Sequence, residues 1–247
     1  SVMTVNNETG VIQPLSELAA MARGKGIAVH SDAIQAAGKI PLDVARLGVD
    51  LLSLSAHKFH GPKGVGALFI RRGLRFEPFL LGGGQESGRR SGTENIAGIV
   101  GMGAATESAM RYLTDVPTEN PRDLFETEVL KSTRGVTVNG DPESRTWNTS
   151  HLSFDGCDAA GWLILLDEAG VACSAGSACM TGKQKPSHVQ IAMGIPELRA
   201  KSSLRFSFSR LNTRDEAIAA ARAVGNAVVK LRGVQGPGVG PVVVYSP

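Results

Sequence analysis

Over residues 1–103, short unbroken apolar runs alternate with stretches of helical spacing, and two successive runs end on polar clusters. Leu15, Leu18 and Met21 recur at helical spacing behind Pro14, and Gly24 and Gly26 close the stretch, so a helix is expected over 14–23. Ile27-Ala28-Val29 runs into His30-Ser31-Asp32, and Val49 to Leu54 runs into Ser55-Ala56-His57-Lys58. A third run, Gly66 to Ile70, follows a Gly-Pro-Lys-Gly turn. Continuous apolar strands joined by short helical crossovers imply an α/β fold with a buried, mainly parallel sheet. In such sheets functional groups gather at the carboxyl ends of the strands, where these polar clusters fall.

Further along, a polar, glycine-dense loop (82–95) precedes a helix expected from Ile96 to about Tyr112, and Thr114 to Pro121 reads as a linker. Short strands are then expected at 136–139, 150–154, 172–174 and 203–208. A last helix is announced by the capping box Thr213-x-x-Glu216 and by Ile218, Ala221, Val224, Val228 and Leu231 on one face. The expected division is 1–103 for the C-terminal part of a large sheet domain and 104–232 for a connecting helix and a small α+β domain. Residues 233–247, where Gly, Pro and Val dominate without period, are expected to form a disordered tail. Ser1 to Val5 reads as a strand already under way, so the chain is expected to lack an N-terminal part. A net charge of +3 with interspersed signs supplies no basic stripe for nucleic acid. No apolar run reaches the roughly 18 to 20 residues that span a bilayer. Cys157, Cys173 and Cys179 are an odd, sparse set that suits a reducing, cytoplasmic setting better than a disulfide framework.

Lys58 leads the candidates for chemistry. An amine that condenses with an aldehyde cofactor must be partly neutral, which a dry pocket and neighbouring positive charge favour. A solvated lysine in a surface turn would leave the same local signature. Asp32, 26 residues upstream at the end of the preceding strand, can hold a proton on a pyridine nitrogen, although metal binding or helix capping would also place an aspartate there. Gln35 and Asn7 can reach a ring oxygen, and Ser55 and His57 can donate to phosphate. Together these residues match each polar feature of pyridoxal phosphate.

Cys179 lies in Cys173-Ser-Ala-Gly-Ser-Ala-Cys179-Met-Thr-Gly182, small residues with glycines on both sides. That composition packs poorly and suits a nucleophile that must travel, and Lys183 and Lys185 favour its thiolate. The spacing of Cys173 and Cys179 does not suit zinc, so no resident metal is expected. Cys157 and Cys173 read as inert core thiols. In Ser203-Leu-Arg-Phe-Ser-Phe-Ser209, Leu204, Phe206 and Phe208 should face a core, which turns Arg205 to the other side, where a guanidinium can grip a carboxylate or form a surface ion pair.

The stretches VNNETGVIQP, HSDAIQAAGK, SLSAHKFHGPKGVGAL, RRSGTEN and SAGSACMTG, in that order, resemble the cysteine desulfurases of iron–sulfur cluster assembly, from about Ser1 to about Arg210. The resemblance implies the pyridoxal-phosphate-dependent transferase fold, here the C-terminal part of the large domain plus the small C-terminal domain. It implies Lys58 as the Schiff-base lysine, Asp32 on the pyridinium, Asn7 and Gln35 at the ring oxygen, and Ser55 and His57 at the phosphate. Thr93 would reach the phosphate of the partner subunit in a homodimer. Arg205, with Asn7, would bind the carboxylate of L-cysteine, and Cys179 would take its sulfur as a persulfide for an acceptor such as an iron–sulfur scaffold. Whether Cys179 transiently ligates a cluster is left open. The family's upstream phosphate loop and its ring-stacking histidine have no counterpart in these residues. The stretch after Cys179 is less acidic than the resemblance leads one to expect. The other readings are a truncated, non-catalytic dimerisation or scaffold module, a selenocysteine lyase, and an aminotransferase, which the cysteine loop disfavours.

Overall fold

The computed structural model describes residues 1–114, 119–157, 159–175 and 186–235. The chain divides into two units, 1–6 with 12–116 and 7–11 with 117–247. Cys179 and residues 236–247 of the expected tail lie outside the described residues.

In the first unit, β1 (Val2–Met3), β2 (His30–Asp32), β3 (Leu51–Ser55) and β4 (Gly66–Ile70) form one sheet in the order β1-β2-β3-β4. β1, β2 and β3 run parallel, with Asp32 opposite Ser53, and β4 closes the edge antiparallel to β3. The helix α1 (Leu15–Arg23) begins directly after Pro14 and buries Leu15 and Ala19 with Val5, Val29, Ala33, Ala36, Val49 and Leu52. The short α2 (Val44–Leu47) is capped by Asp43, whose carboxylate accepts from the Ala45 and Arg46 N–H groups. Beyond β4 come α3 (Gln85–Gly88), with Glu86 and Ser87 at left-handed φ, and α4 (Ile96–Thr114).

Two expectations for this sheet need correction. The run at 27–29 stands outside the strand: Ile27 is exposed, and Val29 is instead tied to Asp50, whose Oδ2 accepts from the Val29 N–H at 2.7 Å. That bond, with Arg71 beside it, holds the Asp50 carboxyl below its usual range despite the opposing effect of burial. The run at 66–70 is not buried either. An antiparallel edge strand is covered on fewer sides than a central parallel one, and Leu68 and Phe69 are both exposed.

In the second unit, β5 (Val136–Val138), β6 (Thr149–Phe154) and β7 (Ser203–Ser207) form an antiparallel sheet in sequence order. Its apolar face joins α5 (Pro121–Ser132), α6 (Ala159–Glu168) and α9 (Arg214–Gln235) in one core that includes Phe125, Leu152, Phe154, Trp162, Leu204, Phe206 and Val228. Phe154 and Trp162 meet at 4.4 Å between ring centroids, and Phe125 and Phe206 at 4.7 Å. Each fully buried aromatic side chain contributes about 2 to 3 kcal/mol through lost apolar exposure. The capping box closes in both directions: Thr213 N–H donates to Glu216 Oε2 at 2.8 Å, and Glu216 N–H to Thr213 Oγ1 at 3.2 Å. Two short helices, α7 (His188–Ala192) and α8 (Glu197–Lys201), precede β7. The strand expected at 172–174 reduces to a single bridge, Ser174 to Arg205.

Residues 7–11 form a strap in this second unit. Val11 bridges Arg145, and Gly10 accepts from the Thr146 N–H at 2.9 Å. Gly10 sits at φ +76°, and a Cβ there would stand 2.8 Å from the Thr149 Cβ, so only glycine fits. The buried Arg145 guanidinium is paired through both terminal nitrogens with the buried Glu126 carboxylate, at 2.6 Å for Nη2. Arg122 lies buried beside them and feels the Arg145 charge.

Candidate functional site

Because β2 and β3 are parallel neighbours, their carboxyl ends share one edge of the first sheet. Asp32 ends β2, half-buried, with Oδ1 accepting from the Ile34 N–H at 2.9 Å. Gln35 follows, its Oε1 accepting from Lys39 Nζ at 2.9 Å, which leaves the amide nitrogen as a donor. Ser55 ends β3, and a 3₁₀ turn, Ala56–Phe59, carries His57 and Lys58. The turn is fixed from behind by Ala56 and Phe59, which are buried with Ala37, Ala105 and Ala109. Gly61 permits that approach, since a Cβ on it would lie 2.9 Å from the Ala56 Cβ and 3.2 Å from the Ala105 Cβ.

With their backbone so held, His57 and Lys58 are exposed. The dry pocket expected around Lys58 is therefore not formed by this unit's residues, which cover the turn on one side only. A shallow, open depression of about 440 Å³ is lined by Ser55, His57, Lys63, Gly64, Val65 and Gly66, without Lys58 or Asp32. Thr93 is exposed, and its carbonyl accepts from Arg90 Nη1 at 3.2 Å.

The second unit carries the other named residues. As the alternation in β7 requires, Leu204 and Phe206 enter the core and Arg205 lies on the opposite face, in register with His151 of β6. Arg205 Nη1 donates to the Asn7 carbonyl at 2.7 Å, whereas Arg205 Nε is buried without a hydrogen-bond partner among the described residues. Burial pushes the Arg205 guanidinium down from its ordinary value, and Glu8 acts against that shift. The Arg205 backbone pairs with Ser174 in both directions, at 2.8 and 3.1 Å, five residues before Cys179. The two described cysteines are poor nucleophiles. Burial raises the Cys157 thiol, and burial with Asp167 nearby raises that of Cys173 to about 11.

Several residues that sequence pattern does not mark surround Arg205. His151 is wholly buried; Asn139 Nδ2 donates to its Nδ1 at 2.9 Å, and the Gln190 amide meets its Nε2 at 3.3 Å. Ser203 joins this network by donating to Gln190 at 2.9 Å and lying 2.7 Å from Ser153 Oγ. Burial and the adjacent Arg205 charge lower His151 to about 4, so it is neutral at ordinary pH. Glu8, also buried, accepts from the Ser187 hydroxyl, and Ser187 caps α7 through the Val189 and Gln190 N–H groups. One signal was available in the sequence: Thr149, His151 and Ser153 alternate along β6 as Ser203, Arg205 and Ser207 do along β7.

A mainly parallel sheet with a lysine turn at its carboxyl edge, followed by a small antiparallel sheet that carries a half-buried arginine, defines an α/β chain with a second, α+β unit. Residues 1–219 match the aminotransferase class-V family, and the chain belongs to that family. The chain is 45% identical to cysteine desulfurase NifS of Azotobacter vinelandii over 246 residues, covering 98% of this chain and 61% of that protein. It is 50% identical to a cysteine desulfurase of Klebsiella pneumoniae over 217 residues, covering 87% and 55%. The X-ray structure of a NifS-like protein from Rickettsia africae superposes with a TM-score of 0.80 at 32% identity, over 91% of this chain and 60% of that one. The chain thus spans less than two thirds of the length of these relatives. Their fold agrees with the α/β transferase fold expected from the sequence.

Proposed function

We propose that the protein containing this chain is a pyridoxal-phosphate-dependent cysteine desulfurase, converting L-cysteine to L-alanine and passing the sulfur on as a persulfide. The observation that carries this reading is the pairing at Arg205. A half-buried guanidinium whose Nε is buried without a hydrogen-bond partner among the described residues, suited to a carboxylate, is tied through its own backbone to the segment leading to Cys179. An aminotransferase has no use for a thiol in a stretch of small residues such as that around Cys179.

The donor set suits the cofactor. Lys58 would supply the amine for its aldehyde, and Asp32, whose Oδ2 accepts none of the described hydrogen bonds, would face a protonated ring nitrogen. Gln35 and Asn7 would donate to the ring oxygen, Ser55 and His57 would hold the phosphate, and Thr93 would serve the phosphate of a partner subunit. When bound, pyridoxal phosphate supplies the sink for the electron pair left at the substrate α-carbon. Lys58 then takes the α-proton as general base. The Cys179 thiolate attacks the substrate sulfur; the S–S bond forms with the thiolate's electron pair while the C–S bond breaks with its pair going to carbon, which is reprotonated to give alanine. Arg205 holds the carboxylate throughout.

The reading extends to a homodimer in the cytoplasm that delivers sulfur to an acceptor such as an iron–sulfur scaffold. Among the described residues no helix is long and apolar enough to cross a membrane, and no group of three or more His, Cys, Asp or Glu side chains is placed to hold a metal ion. The test uses the full-length protein. It should absorb in the violet, release alanine from cysteine and, with a thiol reductant, release sulfide. Lys58→Ala should lose the violet band, and Cys179→Ala should keep it while losing sulfide release. A colourless, inert protein would instead support a scaffold, and undiminished sulfide release by Cys179→Ala would remove that residue from the mechanism.

A further inference from the structure

Glu8 is a fully buried carboxylate to which the proposed reaction gives no part. It follows Asn7, whose carbonyl anchors Arg205 Nη1, and its own Oε2 is anchored by Ser187 at the start of α7. The Ser187 side chain is itself buried. The residue facing Arg205 across the sheet, His151, is neutral and offers no charge. Among the described residues, Glu8 is an acidic side chain that acts on the Arg205 charge.

Substrate and product of the proposed reaction carry the same α-carboxylate. A half-buried arginine with nothing set against its charge would hold both tightly, and binding that does not distinguish them slows product departure without aiding the chemistry. We propose that Glu8 is a positioning residue that sets how strongly Arg205 grips the amino-acid carboxylate, its charge offsetting part of the guanidinium charge and Ser187 moderating that offset. The inference rests on Arg205 being the carboxylate-binding residue. Because Ser187 donates to Glu8, part of the carboxylate charge is taken up by that hydrogen bond. Removing the serine hydroxyl throws more of the charge onto Arg205, and removing the charge itself does the opposite.

The two changes should therefore move affinity in opposite directions, which a purely structural role for Glu8 would not produce. The full-length holoenzyme is titrated with L-alanine, followed through the cofactor absorbance, and assayed with cysteine. Glu8→Gln keeps an acceptor for Ser187 and should tighten alanine binding about 3- to 10-fold, with KM for cysteine and kcat both falling. Ser187→Ala should weaken alanine binding about 2- to 5-fold by the same reasoning. Unchanged or weaker binding in a folded Glu8→Gln, while Arg205→Ala weakens it strongly, overturns the role of Glu8 and leaves that of Arg205 standing. If Arg205→Ala binds alanine as the parent does, the carboxylate assignment falls and this inference with it. Should Glu8→Gln fail to fold, Ser187→Ala decides alone: weakened binding supports the role and unchanged binding removes it.

Discussion

The first unit leaves Phe79 94% exposed, Leu81 81% and Val100 66%, whereas in the second Trp162, Phe125 and Phe154 have no exposure at all. The second unit leaves Leu198 and Leu211 outside but still closes a core around its helices and sheet. This contrast separates two ways of presenting chemistry. In the open first unit, Asp32 stands half-buried at the carboxyl end of β2, and His57 and Lys58 after β3 are held from behind and exposed in front. In the closed second unit, Glu8 and His151 are buried and Arg205 is half-buried, and each has a hydrogen-bond partner or a neighbouring charge. Apolar surface of the kind the first unit exposes is ordinarily covered by further protein.

The sharpest way to break the contrast is to truncate one side chain in each unit. Glu126→Ala would strand the buried Arg145 guanidinium and should cost about 3 to 5 kcal/mol in urea unfolding. Phe79→Ala, which removes a larger side chain from the open unit, should stay within about 0.5 kcal/mol. Equal losses would mean that the first unit is packed as tightly as the second. A somewhat smaller effect is expected from pH. The folded state holds His151 near 4, below the usual 6.5, so between those values the unfolded chain binds more protons. Stability should therefore fall as pH drops through that window, by roughly 3 kcal/mol in total from this residue. Unfolding midpoints at several pH values would show the slope, and His151→Gln should flatten it. Smallest of the three, Gly10→Ala should cost about 1 to 3 kcal/mol from a strained left-handed φ and contact with Thr149. Thermal melting checks this, and an unchanged midpoint would show that the strap is not held as described.

Much of this arrangement was legible before any coordinates. Pro14 and Gly24 bracket α1 as expected, the Thr213–Glu216 box forms in both directions, and the alternation in 203–208 turns Arg205 away from the core. These are local signals, set by backbone dihedrals, caps and side-chain period. The failures came where a neighbour decides. The apolar letters of Leu68 and Phe69 suggested burial, but an edge position leaves them out. For Lys58 the described residues cover the turn on one side only, and no local pattern says what faces its amine on the other. Glu8 and Ser187 lie 179 residues apart and carry no shared pattern, so their hydrogen bond was invisible in the linear chain.

The strap at 7–11 has a consequence for how the molecule is made. Asn7 and Glu8 leave the ribosome near the start of these residues, yet their partners Arg205 and Ser187 follow 198 and 179 residues later. The second unit cannot be completed until residues as late as Arg205 have been synthesised, and contacts of such long range are formed slowly. A nascent chain therefore holds its asparagine, glutamate and left-handed glycine in waiting, exposed to chaperones or to mispairing, until β7 arrives to receive them.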